Sequence, residues 1–145
     1  MKVVRWLLLA LHGFVGIGAL AGGLAAITNP NEPLGISVEA LKNSPFSNFL
    51  IPGIILFTII GIGNVVSAIT LGYDFKFQGY ISSIFSWALV IWIVVQCIML
   101  QEIMLLHIIF FAIGLVETIL SAIILFKQRL FPVDLILNLL ERPEI

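Results

Sequence analysis

The fold is decided by residues 81–126, which read ISSIFSWALVIWIVVQCIMLQEIMLLHIIFFAIGLVETILSAIILF. An α-helix rises ~1.5 Å per residue, so this apolar run would be roughly 69 Å long, about twice the ~30 Å hydrocarbon core of a bilayer. The polar residues near its middle are Gln101, Glu102 and His107. The run therefore predicts two membrane-spanning helices, at about residues 80–100 and 105–126, joined by a very tight turn.

Two earlier segments are also long enough to cross a bilayer. Residues 6–27 contain no charged side chain, and residues 49–71 form the second apolar stretch. Lys2 and Arg5 precede the first stretch as in a signal peptide, but the apolar part of a signal peptide is usually only ~7–15 residues long. We therefore expect a retained transmembrane helix, which makes residues 1–145 one all-α domain, a polytopic membrane four-helix bundle.

The composition excludes several other classes of protein. Of the 145 residues, 61% are hydrophobic and 10% are charged, whereas a soluble domain carries ~25% charged residues. So few charged side chains cannot cover a soluble surface, and so apolar a chain is neither disordered nor fibrous. The net charge of −1 argues against nucleic-acid binding, and a single cysteine, Cys97, cannot form an internal disulfide.

The positive charges predict the orientation of the chain. Of the seven lysines and arginines, only Lys42 falls on the side that holds the first and third interhelical connections. Because cytoplasmic loops are enriched in Lys and Arg, both termini are expected in the cytoplasm. The residues that carry this bias are Lys2, Arg5, Lys76, Lys127, Arg129 and Arg142.

The first connection, residues 28–48, is the longest and contains several helix signals. Ser37 predicts the cap of one or two turns of interfacial helix. Ser44 and Pro45 predict the cap and first residue of the second long helix. Pro52 has no backbone donor and predicts a bend in that helix.

The tail, at about residues 132–142, has an amphipathic pattern. Pro132 suits a helix start, and the polar side chains fall on one helical face while apolar residues cover the rest. This predicts a short amphipathic C-terminal helix lying on the inner leaflet, either as an anchor or as a docking site for a cytoplasmic partner. The polar residues are Asp134, Asn138, Glu141 and Arg142.

Small and polar side chains follow one face of each predicted span, and these faces should line the centre of the bundle. They comprise His12, Gly16, Ala19 and Gly23 in the first span, Gly53, Phe57, Asn64 and Ser67 in the second, Ser82, Ser86 and Gln96 in the third, and His107, Gly114, Glu117 and Ser121 in the fourth.

Four of these residues are predicted to form an intramembrane polar cluster. Counted at ~1.5 Å per residue from the cytoplasmic ends, His12, Asn64, Ser86 and Glu117 all lie roughly 9–13 Å deep. We expect His12 or Asn64 to be hydrogen-bonded to Glu117. The cluster would be a proton-coupled site or a headgroup pocket, or else a protonated Glu117 that merely ties the helices together.

Catalytic, metal and cofactor sites are not indicated. His12 and His107 should differ by roughly 20 Å in height, which is too far for one metal ion. No nucleophile elbow, Walker loop, HExxH sequence or dinucleotide-binding glycine pattern occurs. We therefore expect a protein that is not an enzyme and carries neither cofactor nor metal.

Several stretches have a familiar pattern: the run Asn43–Gly53 (NSPFSNFLIPG), Leu34-Gly35-Ile36, the glycine-rich first span and Trp92–Gln96 (WIVVQ). With these features the chain resembles a family of small, uncharacterised bacterial four-span integral membrane proteins. The resemblance implies four spans and the bacterial cytoplasmic (inner) membrane, and it transfers no catalytic or binding residues.

The preferred functional hypothesis is a non-enzymatic accessory subunit or lipid-interacting scaffold. Its partners would be membrane lipids and either further copies of itself or another membrane protein. The alternative is a small oligomeric proton-coupled transporter that uses Glu117 as proton carrier. A third reading, an intramembrane enzyme acting on lipids or quinones, draws only on Glu117 and the two histidines.

Overall fold

The computed structural model describes residues 1–131 and 133–141, and the statements below refer to these residues. This part of the chain is helical and contains no β-strand, which confirms the predicted all-α fold with four long apolar helices and a short C-terminal one. The helices are α1 (Lys2–Thr28), α2 (Leu50–Gly72), α3 (Gln78–Leu100), α4 (Leu105–Gln128) and α5 (Val133–Leu140).

The four long helices, α1 to α4, are long and apolar enough to cross a membrane, so the chain is a multi-pass membrane protein. Helix α1 packs along α2 and α3 along α4, while contacts between α2 and α3 and between α1 and α4 close the bundle. The outside of the bundle carries large apolar side chains that a lipid phase would cover, among them Phe14, Ile17, Trp87, Ile91, Val94 and Ile119.

Helix α2 is irregular in its middle. Its first turns, Leu50–Ile55, and its last part, Gly63–Gly72, are α-helical, whereas Leu56–Ile62 is a π-helical segment. Such a wider turn rotates the residues that follow it relative to those before it. The buried face of α2 therefore passes from Gly53 to Ile60 and then to Asn64.

One expectation for the start of α2 is wrong, and a second loses its physical basis. The helix begins at Leu50, and the Asn48 side-chain oxygen accepts its N–H at 3.1 Å, so Ser44 and Pro45 lie in the preceding turn. Pro52 lies in the first turn of α2, where its missing N–H removes no helical hydrogen bond. The irregularity of the helix is the later π-helical segment.

The connection before α2 folds against one end of the bundle. As predicted, Ser37 caps a short helix, Val38–Leu41, a single 3₁₀ turn in which the Ser37 hydroxyl oxygen accepts the Glu39 N–H at 3.3 Å. Leu41 is buried against Ala26 and Phe49. The connection thus closes the bundle at the end that also holds the turn between α3 and α4, which we call the loop end.

The opposite end, which we call the cationic end, holds the start of α1, the turn between α2 and α3, and the end of α4. Of the lysines and arginines that the structure describes, only Lys42 lies at the loop end. At the cationic end Arg5 forms an ion pair with Asp74 at 3.0 Å, and Asp74 also accepts the Gln78 side-chain amide at 2.6 Å. The Gln78 amide and then Arg5 hold the pKa of Asp74 below its usual value.

Helix α5 follows the bundle at its cationic end. The Tyr80 hydroxyl donates a hydrogen bond to the Phe131 carbonyl, which ties the start of the tail to α3. Asp134, Asn138 and Glu141 recur at helical spacing, and apolar side chains such as Leu139 are exposed. The predicted roles of Pro132 and Arg142 fall outside the described residues.

Candidate functional site

The centre of the bundle contains a buried polar cluster, formed by His12, Asn64, Ser82 and Glu117. Each long helix contributes one of these side chains, and each of the four residues is 0% exposed. Polar groups in an apolar interior are expensive unless they pair with one another. The chemistry that the cluster can perform therefore depends on which hydrogen bonds its four side chains form with one another.

His12 is the residue that connects the cluster. Its Nδ1 lies 2.6 Å from the Asn64 side-chain oxygen, and its Nε2 lies 2.5 Å from the Ser82 hydroxyl. Both ring nitrogens are thus hydrogen-bonded, to α2 on one side and to α3 on the other. These two bonds hold α1 in a fixed rotation relative to α2 and α3.

The Asn64 side chain determines which nitrogen of His12 carries a proton. The Asn64 side-chain NH₂ donates to the Ile60 carbonyl at 2.7 Å, so its oxygen faces His12 and can only accept. Nδ1 of His12 must then be the donor. In the neutral imidazole Nε2 accepts the Ser82 O–H, and both contacts are satisfied without a net charge.

Glu117 lies beside this chain of hydrogen bonds but does not complete it. Its Oε1 is 3.4 Å from Nδ1 of His12, within ion-pair distance, yet within the described residues neither carboxyl oxygen has a hydrogen-bond partner. The expected hydrogen bond from His12 or Asn64 to Glu117 is therefore replaced by the bond between His12 and Asn64. Glu117 is left as an under-satisfied buried group.

Ser86 is buried as predicted, but its hydroxyl bonds to the backbone of its own helix and not to a side chain of the cluster. Its hydroxyl donates to the Ser82 carbonyl at 2.7 Å, within its own helix, and it is Ser82 that reaches His12. Depth counting along the sequence assumes helices that are perpendicular to the membrane, and one helical turn of error moves the contact from Ser86 to Ser82. In the sequence, Ser82 and Ser86 were both indicated by their position on the polar face of α3, one helical turn apart.

A cavity of about 270 Å³ lies on the loop-end side of the cluster. An apolar layer of Val15, Ile60 and Leu89, each only 1–2% exposed, forms its floor and separates it from the cluster. All four long helices line the cavity, and the connection before α2 covers part of it. Further lining residues include Gly22, Ala26, Leu34, Phe49, Leu56, Leu100 and Phe110.

Few polar side chains line this cavity. His107 lies at the first turn of α4, where its Nδ1 accepts the Met104 N–H at 3.1 Å and so caps the helix. Trp92 and Gln96 follow each other by one turn on α3. Trp92 is only 7% exposed, and its indole N–H has no acceptor among the residues that the structure describes.

The two histidines lie in different parts of the bundle. His12 is in the cluster and His107 lines the cavity, with the apolar layer between these two regions. Among residues 1–131 and 133–141, no three His, Cys, Asp or Glu side chains are grouped so that they could hold a metal ion.

Comparison of the chain with family models, curated proteins and solved structures gives no match. What the protein does is therefore inferred from the chemistry of the cluster and the cavity. Three residues of these sites, Ser82, Trp92 and Gln96, were not predicted as site residues. Ser82 and Gln96 do fall on the predicted polar face of α3, whereas nothing in the sequence distinguishes Trp92 from a packing residue.

Proposed function

We propose that the chain is a non-enzymatic, lipid-interacting protein of the bacterial cytoplasmic membrane, and that its cavity holds the apolar chain of a lipid. The single observation behind this proposal is the cavity of about 270 Å³, which all four helices line and whose lining side chains are predominantly apolar. Its size is just below the ~300–1,000 Å³ of typical ligand sites. An apolar cavity of this kind excludes water and favours apolar ligands.

Charge and sequence pattern support the membrane and the orientation. The excess of lysine and arginine at the cationic end favours a cytoplasmic location for that end and therefore for both termini. The exposed apolar side chains of α5 favour a position along the inner leaflet, because water would not tolerate them uncovered. The resemblance to bacterial four-span proteins favours the bacterial inner membrane.

Native mass spectrometry after release from lipid nanodiscs tests the proposal. We expect the protein to retain bound lipid, as a monomer, as a small homo-oligomer or with a membrane protein partner. Gly22→Leu should reduce lipid retention, because a Cβ at Gly22 would meet the lining residue Leu56 at 3.4 Å and the rest of the side chain would fill the cavity.

Gly13→Leu is the matched control. A Cβ at Gly13 on the same helix meets nothing within 4 Å, and Gly13 does not line the cavity, so this variant should retain lipid as the wild type does. Equal retention by the Gly22→Leu and Gly13→Leu variants, or no retained lipid in any sample, would contradict the proposal.

A proton-coupled transporter is the second candidate. The observation that favours it is Glu117, a fully buried carboxyl group without a hydrogen-bond partner in the described part of the chain, 3.4 Å from an imidazole nitrogen. A carboxyl group held this way can exchange a proton with little rearrangement of its neighbours. Proton flux into proteoliposomes that Glu117→Gln abolishes would favour this candidate over the first.

A further inference from the structure

A groove of about 620 Å³ lies between α3 and α4 at the loop end of the bundle. The buried side chains of Ile93 and His107 line both this groove and the cavity, so they separate the one from the other. The walls include Val94, Ile98 and Ile108, which are exposed on the outside of the bundle. Since a lipid phase would cover these walls, the groove is a place where the apolar chains of a bilayer lipid can lie.

Two polar side chains, those of Gln101 and Glu102, line the groove where it reaches the turn between α3 and α4. The Gln101 side-chain amide donates to the Ile98 carbonyl at 2.6 Å, which leaves the side-chain oxygen of Gln101 as an acceptor. The Glu102 carboxylate is an acceptor as well, and it is exposed. The groove is therefore apolar along the helices and rich in acceptors at the end where a lipid headgroup lies.

The charges at this end favour a positively charged group. Among the described residues that line the groove, Glu102 carries the only charge. Elsewhere at the loop end, Glu32 and Glu39 are acidic and only Lys42 is basic in the described part of the chain. An anionic headgroup would thus meet a carboxylate without a cation in the groove, whereas a cationic group would be attracted.

We propose that this groove is a lipid-binding site for phosphatidylethanolamine, a phospholipid whose headgroup ends in a primary ammonium. The site is distinct from the cavity of the proposed function. A primary ammonium has three N–H donors, which suit the Glu102 carboxylate and the Gln101 oxygen. The quaternary ammonium of phosphatidylcholine has no N–H, and phosphatidylglycerol is anionic, so neither matches the acceptors and the negative charge together.

Native mass spectrometry of the full chain released from mixed nanodiscs tests this proposal. The bilayer contains equal amounts of phosphatidylethanolamine, phosphatidylcholine and phosphatidylglycerol with identical acyl chains, so that only the headgroups differ. We expect the lipid retained by the wild type to be enriched in phosphatidylethanolamine over both of the others, relative to the bilayer.

Glu102→Gln is the decisive variant, and its exposed position makes it compatible with folding. It should lower the retained ratio of phosphatidylethanolamine to phosphatidylglycerol about 1.4- to 5-fold, as the loss of an exposed ion pair of ~0.2–1 kcal/mol does. Glu39→Gln is the matched control, because Glu39 is an exposed acid at the loop end that does not line the groove. It should leave this ratio unchanged.

A second variant tests whether the selected lipid lies in the groove. Cys97 is partly buried and lines the groove, so Cys97→Phe should fill the groove and abolish the enrichment. Gly22→Leu, which fills the cavity, should lower the total retained lipid and keep the enrichment. If Cys97→Phe does not fold, the comparison of Glu102→Gln with Glu39→Gln still decides the question.

The outcomes separate this site from the proposed function. Absence of enrichment in the wild type, equal enrichment of phosphatidylcholine, or equal effects of Glu102→Gln and Glu39→Gln would overturn the assignment. Loss of the enrichment in Gly22→Leu would also overturn it, because the selected lipid would then lie in the cavity. If Gly22→Leu keeps both the enrichment and the total retained lipid, the groove site stands and the cavity function is wrong.

Discussion

His12 donates its Nδ1 proton to Asn64 at 2.6 Å and leaves Glu117, at 3.4 Å, with the longer contact. The neutral amide thus takes the hydrogen bond that the ionisable carboxyl group was expected to receive. The difference follows from Asn64, whose NH₂ is committed to the Ile60 carbonyl and whose oxygen is therefore directed at the imidazole. Three helices are joined by neutral hydrogen bonds, and Glu117 lies beside them.

The first prediction concerns the coupling between His12 and Asn64. A double-mutant cycle of His12→Ala and Asn64→Ala should give a coupling free energy between ~0.6 kcal/mol, the average measured for hydrogen bonds between membrane helices, and ~1.7 kcal/mol, the largest value measured. Unfolding in mixed micelles provides the measurement. The control cycle pairs His12→Ala with Ser121→Ala, because the Ser121 hydroxyl donates to the Thr118 carbonyl in its own helix. A coupling near zero for the first pair would disprove the hydrogen-bond geometry.

The second prediction concerns Glu117→Gln. Because the carboxyl group has no hydrogen-bond partner among the described residues, an amide of the same shape loses no bond, and the free energy of unfolding should change by less than about 1 kcal/mol. Lipid retention should also stay unchanged if the cavity is the functional site. Thermal unfolding and native mass spectrometry of the variant check both points, and a collapse of stability would indicate a hydrogen bond to Glu117.

The third prediction concerns the contact between α1 and α2. A Cβ at Gly23 would lie 2.7 Å from both the Cβ and the backbone nitrogen of Phe57. Gly23→Ala should therefore destabilise the protein by ~1–3 kcal/mol, as overpacking does. Gly13→Ala, on the same helix with open space around it, should be neutral or stabilising, because alanine favours helix over glycine by ~1 kcal/mol. Equal stability of the two variants would show that α1 and α2 do not approach this closely.

The fourth prediction concerns pH and Asp74. Its pKa is lowered by the Gln78 amide and then by Arg5, so its contribution to stability is present above the usual ~3.9 and is lost as the pH falls through the lower folded value. The melting temperature of the wild type should exceed that of Asp74→Asn at pH ~6, and the difference should shrink on acidification and at high salt. A difference that grows at low pH would contradict the ion pair with Arg5.

The fifth prediction concerns orientation. In a Cys97→Ser background, a cysteine at position 76 should react with a membrane-impermeant maleimide only after the cells are opened. A cysteine at position 42, at the loop end, should react in intact cells. The reverse pattern would overturn the proposed orientation of the chain.

The helices could be predicted from the sequence because the bilayer sets their length and a polar residue in lipid is costly. The same cost explains why the buried faces of α1 and α4 were predicted, since His12, Gly16, Glu117 and Ser121 are all buried. The length of a span and the face that it buries are properties of a single helix, so the pattern of apolar and polar residues in that helix is enough to predict them.

The contacts between helices could not be predicted in the same way. Whether Ser82 or Ser86 reaches His12 depends on tilt and on the relative height of the helices. The cavity depends on how the side chains of four helices fill the space between them, so no single residue indicates it. The unpaired N–H of Trp92 becomes visible only when all its neighbours are placed.

The π-helical segment Leu56–Ile62 lies between two stretches of α2 that serve different sites. Pro52 and Gly53 line the cavity, while Asn64 belongs to the cluster. Removing one residue from the segment would turn everything after it by about 100° around the helix axis. Asn64 would then no longer face His12, whereas Pro52 and Gly53, which precede the segment, would still line the cavity. The relative orientation of the two sites around the axis of α2 thus depends on how many residues the π-helical segment contains, and not on the side chains of those residues.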